Sequence, residues 1–189
     1  MTTVYLIRHG EVEHHREDVS ITERGWGQAR AAGRQLASQI APGEPVFLRY
    51  APARRARQTA EGLLMGLRET ASIEDAETLL QPDPAIANMR FRGEVGGPYL
   101  EPSAAHADLI ARAEAGTLPP GWAEYFAGFW ASPDPMEYWL TAASGGAAEP
   151  WDAVADRVLA RVRALLGEPN GDGSSERWLL ASHSGPLRA

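Results

Sequence analysis

The sequence contains no cysteine and no lysine. Without cysteine the chain can form no disulfide bond, no thiolate nucleophile and no cysteine-ligated zinc or iron–sulfur centre. No run of about 18 apolar residues suggests a transmembrane helix. Nor does a basic segment followed by an apolar one precede the first predicted strand, as in an export signal. We therefore expect a cytoplasmic protein.

Positive charge is also scarce relative to negative charge. The 18 basic residues, all arginine, face 25 acidic residues, so the formal net charge is −7. This balance disfavours nonspecific binding to nucleic acid or to anionic lipid. We expect neither as a partner, and we leave a homodimer open. A chain of 189 residues with 44% apolar residues suits one domain that spans residues 1–189.

Strands and helices alternate through the first half of the chain. Short β-branched and aromatic runs predict strands, whereas apolar residues at helical spacing predict helices. Thr22 has the character of a helix N-cap. This order predicts a three-layer α/β/α sandwich with a mostly parallel central sheet. The predicted strands are 4–8, 46–48, 73–80 and 177–182, and the predicted helices of this framework are 22–40, 53–68 and 149–166.

The alternation breaks between residues 82 and 146. This region holds more than half of the prolines and most of the aromatic residues. We predict a helical insertion that acts as a lid or a pocket wall, with helices at 104–115, 121–131 and 135–142. Its aromatic residues are expected to form a core, because a base-stacking surface would come with a basic groove.

The last residues predict a helix that the chain does not complete. Pro186 suits the first turn of a helix, yet the sequence stops at Ala189. A helix of four residues has no reason to form alone, so we expect the natural product to extend beyond Ala189.

Three polar segments follow predicted strands, and parallel strands would gather them at one edge of the sheet. They are Arg8-His9-Gly10-Glu11, the arginine-rich segment 52–60 and Ser182-His183-Ser184-Gly185. Taken alone, the first is equally typical of a polar turn with a surface histidine. Together they predict a pocket with two histidines and at least two arginines, which suits a phosphoryl dianion.

The same segments resemble the motifs of the histidine phosphatase superfamily, the phosphoglycerate-mutase-like proteins. Residues 20–29 resemble that family's Leu-Thr-x-x-Gly-x-x-Gln-Ala helix start, and residues 51–61 its Ser-Pro-Leu-x-Arg-Ala-x-Gln-Thr-Ala-Glu segment. The resemblance implies that His9 is the nucleophile and that the phosphate is held by Arg8, Arg55 and His183. It places Arg54 and Arg57 outside the pocket, and it implies no metal or other cofactor.

The chain departs from this family pattern in three places. His15 stands where the family usually has asparagine. The loop from Glu13 to Ser20 is shorter than in the mutases, which favours a hydrolase. The family's proton donor lies in a Leu-x-Glu context after the third strand, and Leu79-Leu80-Gln81 offers glutamine there. Asp83, the nearest carboxyl group, is our predicted general acid, with Glu94 and Glu77 as rivals.

These features predict a metal-independent phosphomonoesterase that acts on a small phosphorylated metabolite through a phosphohistidine. The alternatives are a phosphoglycerate-type mutase, a phosphate-binding protein without turnover, and an interaction module that exposes the aromatic insertion. Glu11 would orient the loop or lie in solvent, and Glu149, in a Gly-Gly-Glu-like context, has at least as much a structural role as a functional one. His14 and His15, as neighbours on a loop, make a poor metal chelate.

Overall fold

The computed structural model describes residues 1–70, 80–167 and 175–188. Its centre is a sheet in the order β1-β4-β2-β3, and every strand pair in it is parallel. The strands are β1 (Thr2–Arg8), β2 (Val46–Tyr50), β3 (Leu80–Pro82) and β4 (Glu176–Ser182). The predicted parallel sheet is confirmed. Most of the strand predicted at 73–80, the loop near 170 and Ala189 lie outside the described residues.

Helices cover both faces of this sheet. Successive residues of a strand point to opposite faces, so neighbouring apolar residues of one strand pack against different helices. Leu179 packs in one core cluster with Leu63 of the helix Arg54–Arg68, whereas Leu180 packs in another with Leu165 of the helix Trp151–Gly167. The predicted three-layer sandwich is therefore confirmed. The α-helices of the described residues are α1 (Glu23–Ala37), α2 (Arg54–Arg68), α3 (Pro102–Glu114), α4 (Trp122–Ala131), α5 (Pro135–Thr141), α6 (Trp151–Gly167) and α7 (Ser184–Arg188).

The insertion contains α3, α4 and α5 and has a core of its own. Phe91 is fully buried at the centre of it, with the rings of Phe126 and Phe129 at centroid distances of 5.1 and 4.9 Å. Val154 of α6 joins the same cluster, so the insertion packs on the framework. The expected aromatic core is confirmed. Trp151, the first residue of α6, is 52% exposed.

The helices α1 and α2 approach so closely that backbone meets backbone. A Cβ atom built on Gly66 of α2 would lie 2.0 Å from the carbonyl oxygen of Arg30 in α1. Gly27 of α1 lies at an open position, where a Cβ atom would meet nothing within 4 Å. A side chain would therefore clash with α1 at Gly66, whereas there is room for one at Gly27.

We expect Gly66→Ala to lower the free energy of unfolding by about 2 kcal/mol or more, because the helices must separate to admit the methyl group. Gly27→Ala should instead raise it by about 0.5 to 1 kcal/mol through helix propensity. Urea denaturation of both variants measures the difference. Equal stability of the two variants would contradict the close packing of α1 and α2.

Within residues 1–70, 80–167 and 175–188, no helix is both long enough and apolar enough to cross a membrane.

Candidate active site

The strand ends bring four of the five predicted site residues together, namely Arg8, His9, Arg55 and His183. Arg8 pairs with Ser182 at the ends of β1 and β4, and the His9 N–H donates to the carbonyl oxygen of Ser182 at 2.8 Å. The next residue, His183, therefore lies beside His9, with ring centroids 5.3 Å apart. Arg55, in the first turn of α2, reaches the same place from the end of β2. All four residues line one cavity of about 460 Å³.

The imidazole of His9 is held in one tautomer. Its Nδ1 lies 2.8 Å from the carbonyl oxygen of Gly10. A carbonyl can only accept, so Nδ1 carries the hydrogen and Nε2 keeps a free lone pair. Burial, together with the nearby Arg55, His15 and Arg8, lowers the pKa of His9 to about 4, although the hydrogen bond to Gly10 acts to raise it. His9 is therefore a neutral imidazole with a nucleophilic nitrogen at neutral pH.

Backbone and helix contacts fix the loop that carries His9. The Gly10 N–H donates to Oγ1 of Thr59 at 2.9 Å, and the Thr59 hydroxyl donates to the carbonyl oxygen of Arg55 at 2.7 Å. A Cβ atom on Gly10 would lie 2.7 Å from the carbonyl oxygen of Gly25, so only glycine fits there. His9 and Arg55 are thereby tied to the same helix, α2.

Arg55 is a buried cation, only 2% exposed, whose terminal nitrogens are already bound. Nη2 donates to Oε1 of Glu101 at 2.7 Å and Nη1 to the hydroxyl of Ser103 at 3.2 Å, while Asp18 lies 3.5 Å away. Nε has no hydrogen-bond partner among the described residues. No sequence pattern predicts Glu101 and Ser103 at this site, because the insertion brings them to Arg55 from far along the chain.

His183 also lines the cavity and is 2% exposed. Neither of its ring nitrogens has a hydrogen-bond partner in the part of the chain that the structure describes. Burial, aided by Arg55 and His9, lowers its pKa well below the ordinary value. Buried polar atoms in proteins are nearly always bonded. A neutral His183 has one N–H donor, so it and Nε–H of Arg55 are two unpaired donors that mark a place for a ligand with acceptor oxygens.

Asp83 does not line this cavity. The carboxylate is 7% exposed, accepts from the Ala85 N–H at 3.0 Å and from Nε of Arg161 at 2.6 Å, and so caps a short 3-10 turn (Pro84–Ile86). The structure thus gives it a structural position instead of the predicted place at the reacting group. Of its rivals, Glu94 is exposed and away from the cavity, and Glu77 lies outside the described residues.

Asn88 is the residue that reaches the cavity from the segment after β3. The chain first passes through the turn that Asp83 caps. The residue that lines the cavity is therefore Asn88, five positions after the predicted Asp83. A sequence signal for this exists, because Ile86-Ala87-Asn88 has the apolar-x-polar spacing of the family's Leu-x-Glu context. Its amide carries no acidic proton, and Oδ1 accepts from the Met89 N–H at 3.0 Å.

The insertion forms the opposite wall and the mouth of the cavity. Phe129, Trp130 and Met136 give this wall an apolar surface. At the mouth Asp134 caps α5 and binds Nη1 of Arg188 through both oxygens, at 2.9 and 2.8 Å. These bonds lower the pKa of Asp134, so its carboxylate stays ionised. The expectation that the insertion serves as a pocket wall is met by this lining.

Glu149 and Glu11 lie outside the cavity. Glu149 is buried and binds Arg90 through both carboxylate oxygens, at 2.7 and 3.0 Å. Arg157 binds Glu149 as well and donates to the carbonyl oxygen of Asn88. Glu149 therefore supports the segment that carries Asn88. Glu11 accepts from the hydroxyl of Thr22, at the start of α1.

His14 and His15 are adjacent imidazoles, a side-chain type that commonly binds metal ions. Both line the cavity. Among the described residues, however, no three His, Cys, Asp or Glu side chains are grouped so that they could hold a metal ion.

The buried neutral histidines predict a pH-dependent stability. Unfolding lets His9 regain its ordinary pKa near 6.5, so the unfolded chain binds more protons than the folded one between that pH and about pH 4. The stabilisation is full above pH 6.5 and is lost as the pH falls. Between pH 7 and pH 5, His9 alone should remove about 2 kcal/mol of unfolding free energy.

Urea denaturation at the two pH values, in buffer without phosphate, measures this loss. His9→Gln should lose about 2 kcal/mol less than the parent over the same interval, since glutamine does not titrate. An identical pH dependence of parent and variant would show that His9 is not buried in its neutral form.

The comparisons with known proteins agree with this geometry. Residues 4–79 match the family model of the histidine phosphatase superfamily (branch 1). No curated protein sequence matches the chain at a significant level.

Among solved structures, similar folds include one described as mycobacterial hydrolase 1, with 21% identity over 96% of this chain and 75% of the other, at a TM-score of 0.53. A mycobacterial glucosyl-3-phosphoglycerate phosphatase is 21% identical over 96% and 74% of the two chains, at a TM-score of 0.51. The alpha-ribazole phosphatase from Shigella flexneri is 22% identical over 97% and 75%, at a TM-score of 0.52. The match of residues 4–79 to the histidine phosphatase superfamily model agrees with the resemblance of the ordered motifs and with the parallel sheet that gathers them.

Proposed function

We propose that this protein is a metal-independent phosphomonoesterase, a histidine-type acid phosphatase, that hydrolyses a small phosphorylated metabolite through a phosphohistidine on His9. One observation carries the proposal. A neutral imidazole with a free Nε2 lies beside three buried nitrogens that have no partner in the described structure. A phosphoryl group offers oxygens that accept from Nε–H of Arg55 and from the N–H of His183, and a phosphorus atom for the nucleophile.

In the first step Nε2 of His9 attacks phosphorus in line with the ester oxygen. The N–P bond forms as the P–O bond to the leaving group breaks. The low pKa of His9, about 4, keeps the nucleophile unprotonated at neutral pH. The bond from Nδ1 to Gly10 keeps the ring aligned, so little reorganisation accompanies the attack.

Arg8, Arg55 and His183 bind the equatorial oxygens of the phosphoryl group. Charge on these oxygens is spread over the transition state, where fixed donors contribute most to catalysis. Arg55 is held in place by Glu101 and Ser103 before the ligand arrives. In the second step water attacks the phosphohistidine, and inorganic phosphate leaves.

The shape of the cavity favours an ester with an apolar alcohol portion. The phosphoryl group would lie at His9 and His183, and the alcohol portion would extend along Phe129 and Trp130 of the insertion. The names of two structural neighbours, glucosyl-3-phosphoglycerate phosphatase and alpha-ribazole phosphatase, also describe enzymes that act on phosphate esters. A small phosphate ester whose alcohol portion has an apolar surface is therefore the substrate class that we propose.

The second candidate is a phosphate-binding protein without turnover. It is favoured by the absence of a carboxylic acid that could protonate the leaving group, since the one carboxylate among the described cavity residues, Asp134, is bound to Arg188. Such a protein would keep Arg55 and His183 as an anion site but release no product. Turnover is what separates it from the proposed enzyme.

We expect the protein to release inorganic phosphate from an aryl phosphate at the same rate with and without EDTA, because every group in the proposed reaction belongs to the chain. A colorimetric phosphate assay measures the rate, and calorimetry measures binding of inorganic phosphate. Binding without turnover would support the second candidate. Turnover that EDTA abolishes would contradict the metal-independent mechanism.

A further inference from the structure

His15 is a third imidazole in the cavity that the proposed reaction does not yet use. Its ring lies 5.7 Å from the ring of His9, edge to face, close enough for one phosphoryl group to touch both. It is carried by the loop that follows β1, in the same cavity wall as Arg16. The position is the one at which the sequence departs from the asparagine that is usual in the family.

Protonation of the leaving group needs an acid, and the described carboxyl groups near the cavity are engaged elsewhere. Asp83 binds Arg161, and Asp134 binds Arg188. Asp18 accepts from the Arg54 N–H at 2.9 Å and lies 3.5 Å from Arg55. Glu101 accepts from Arg55 with Oε1 and caps α3 with Oε2. Each carboxylate therefore serves as a bound acceptor with an arginine partner.

We infer that His15 is the general acid of the proposed phosphatase and donates a proton to the leaving oxygen. The inference rests on the proposed function. As the N–P bond to His9 forms, the P–O bond breaks, and its electron pair takes the proton of the His15 imidazolium, so the alcohol leaves neutral. Neutral His15 then accepts a proton from the water that attacks the phosphohistidine. This proton restores the His15 imidazolium by the time phosphate leaves.

The depth of the residues in the cavity agrees with this assignment. In-line attack puts the leaving oxygen on the side of phosphorus away from His9, toward the mouth of the cavity. His183 and Arg55 are buried, whereas His15 is exposed and lies toward that mouth. The buried pair therefore suits the equatorial oxygens, and His15 suits the leaving group.

The charges that face His15 explain when it would carry a proton. In the free protein the loss of water around its ring lowers its pKa, as do Arg55, Arg8 and His14, while Glu101 raises it. His9 faces it as a neutral ring. A bound phosphoryl dianion adds negative charge at the same place and favours the imidazolium. Substrate binding would thus favour the protonated form of His15, which is the form that can donate a proton.

The test compares two substrates that differ in their need for an acid. Phenyl phosphate has a basic leaving group that must be protonated, whereas 2,4-dinitrophenyl phosphate has a leaving group that departs as an anion. We expect His15→Asn to lower kcat/KM for phenyl phosphate by about 10²-fold or more. For 2,4-dinitrophenyl phosphate the same variant should stay within about threefold of the parent.

His106→Asn is the matched control, since His106 lies on α3 and does not line the cavity. It should leave the ratio of the two kcat/KM values unchanged. An equal loss on both substrates in His15→Asn would assign His15 to binding. That result, or no loss on either substrate, would overturn the inference about His15 and leave the proposed function standing. Failure of the parent to hydrolyse either substrate would overturn the proposed function, and the inference with it.

Discussion

His9→Ala should abolish phosphatase activity, with kcat/KM reduced by about 10⁴-fold or more. No other group in the cavity can replace it. His183 is buried beside it but is needed as a donor to oxygen, and His15 lies toward the mouth. Removal of the ring therefore removes the atom that forms the covalent intermediate. Initial rates on an aryl phosphate at saturating and low concentrations measure both kcat and kcat/KM.

Binding of inorganic phosphate provides the control for this variant. Arg8, Arg55 and His183 remain in place in His9→Ala, so phosphate should still bind, as calorimetry would show. Loss of turnover with retained binding identifies a chemical role for His9. Turnover at the parental rate in His9→Ala would overturn the covalent mechanism.

Arg55→Ala should lower kcat/KM by about 10³-fold, because a fixed, buried cation beside the transferred group is lost. Arg55→Lys should recover only part of the loss, since an ammonium group cannot bind Glu101 and the phosphoryl oxygens in one planar fork. Phosphate affinity should fall together with the rate in both variants. Steady-state kinetics and calorimetry measure the two effects.

Arg57→Ala is the matched control, two residues further along α2. Arg57 is exposed and pairs with Glu61 at 2.9 Å, so its removal should change kcat/KM by less than about twofold and stability by less than about 1 kcal/mol. Arg55→Ala also leaves Glu101 without its partner, so circular dichroism must show both variants folded at the assay temperature. Equal activity of the two folded variants would contradict the place of Arg55 in the phosphate site.

Much of this site follows from local sequence patterns. His9 and His183 each come directly after an apolar strand, and parallel pairing brings the ends of such strands to one edge. Arg55 follows a strand and begins a helix, so its position near that edge also follows from the order of elements. The positions of these residues can be predicted from short sequence segments and from the order of strands and helices.

The rest depends on contacts between distant segments. Asp83 is next to β3 in sequence, but Arg161 of α6 holds it away from the cavity, and no pattern in residues 80–90 shows that ion pair. Glu101 reaches Arg55 across 46 positions of the chain. The apolar wall around Phe129 forms because the insertion folds around its own aromatic core. Such contacts are set by packing, which single-sequence patterns do not encode.

The most direct test of the covalent mechanism is to trap the intermediate. Rapid mixing with a substrate labelled with ³²P, followed by an alkaline quench, should leave label on the protein, because a phosphoramidate bond survives alkali and breaks in acid. Peptide mapping should place the label on His9, and His9→Ala should carry none. Substrate turnover with no labelled protein at any mixing time, or label that persists in His9→Ala, would contradict a phosphohistidine at His9.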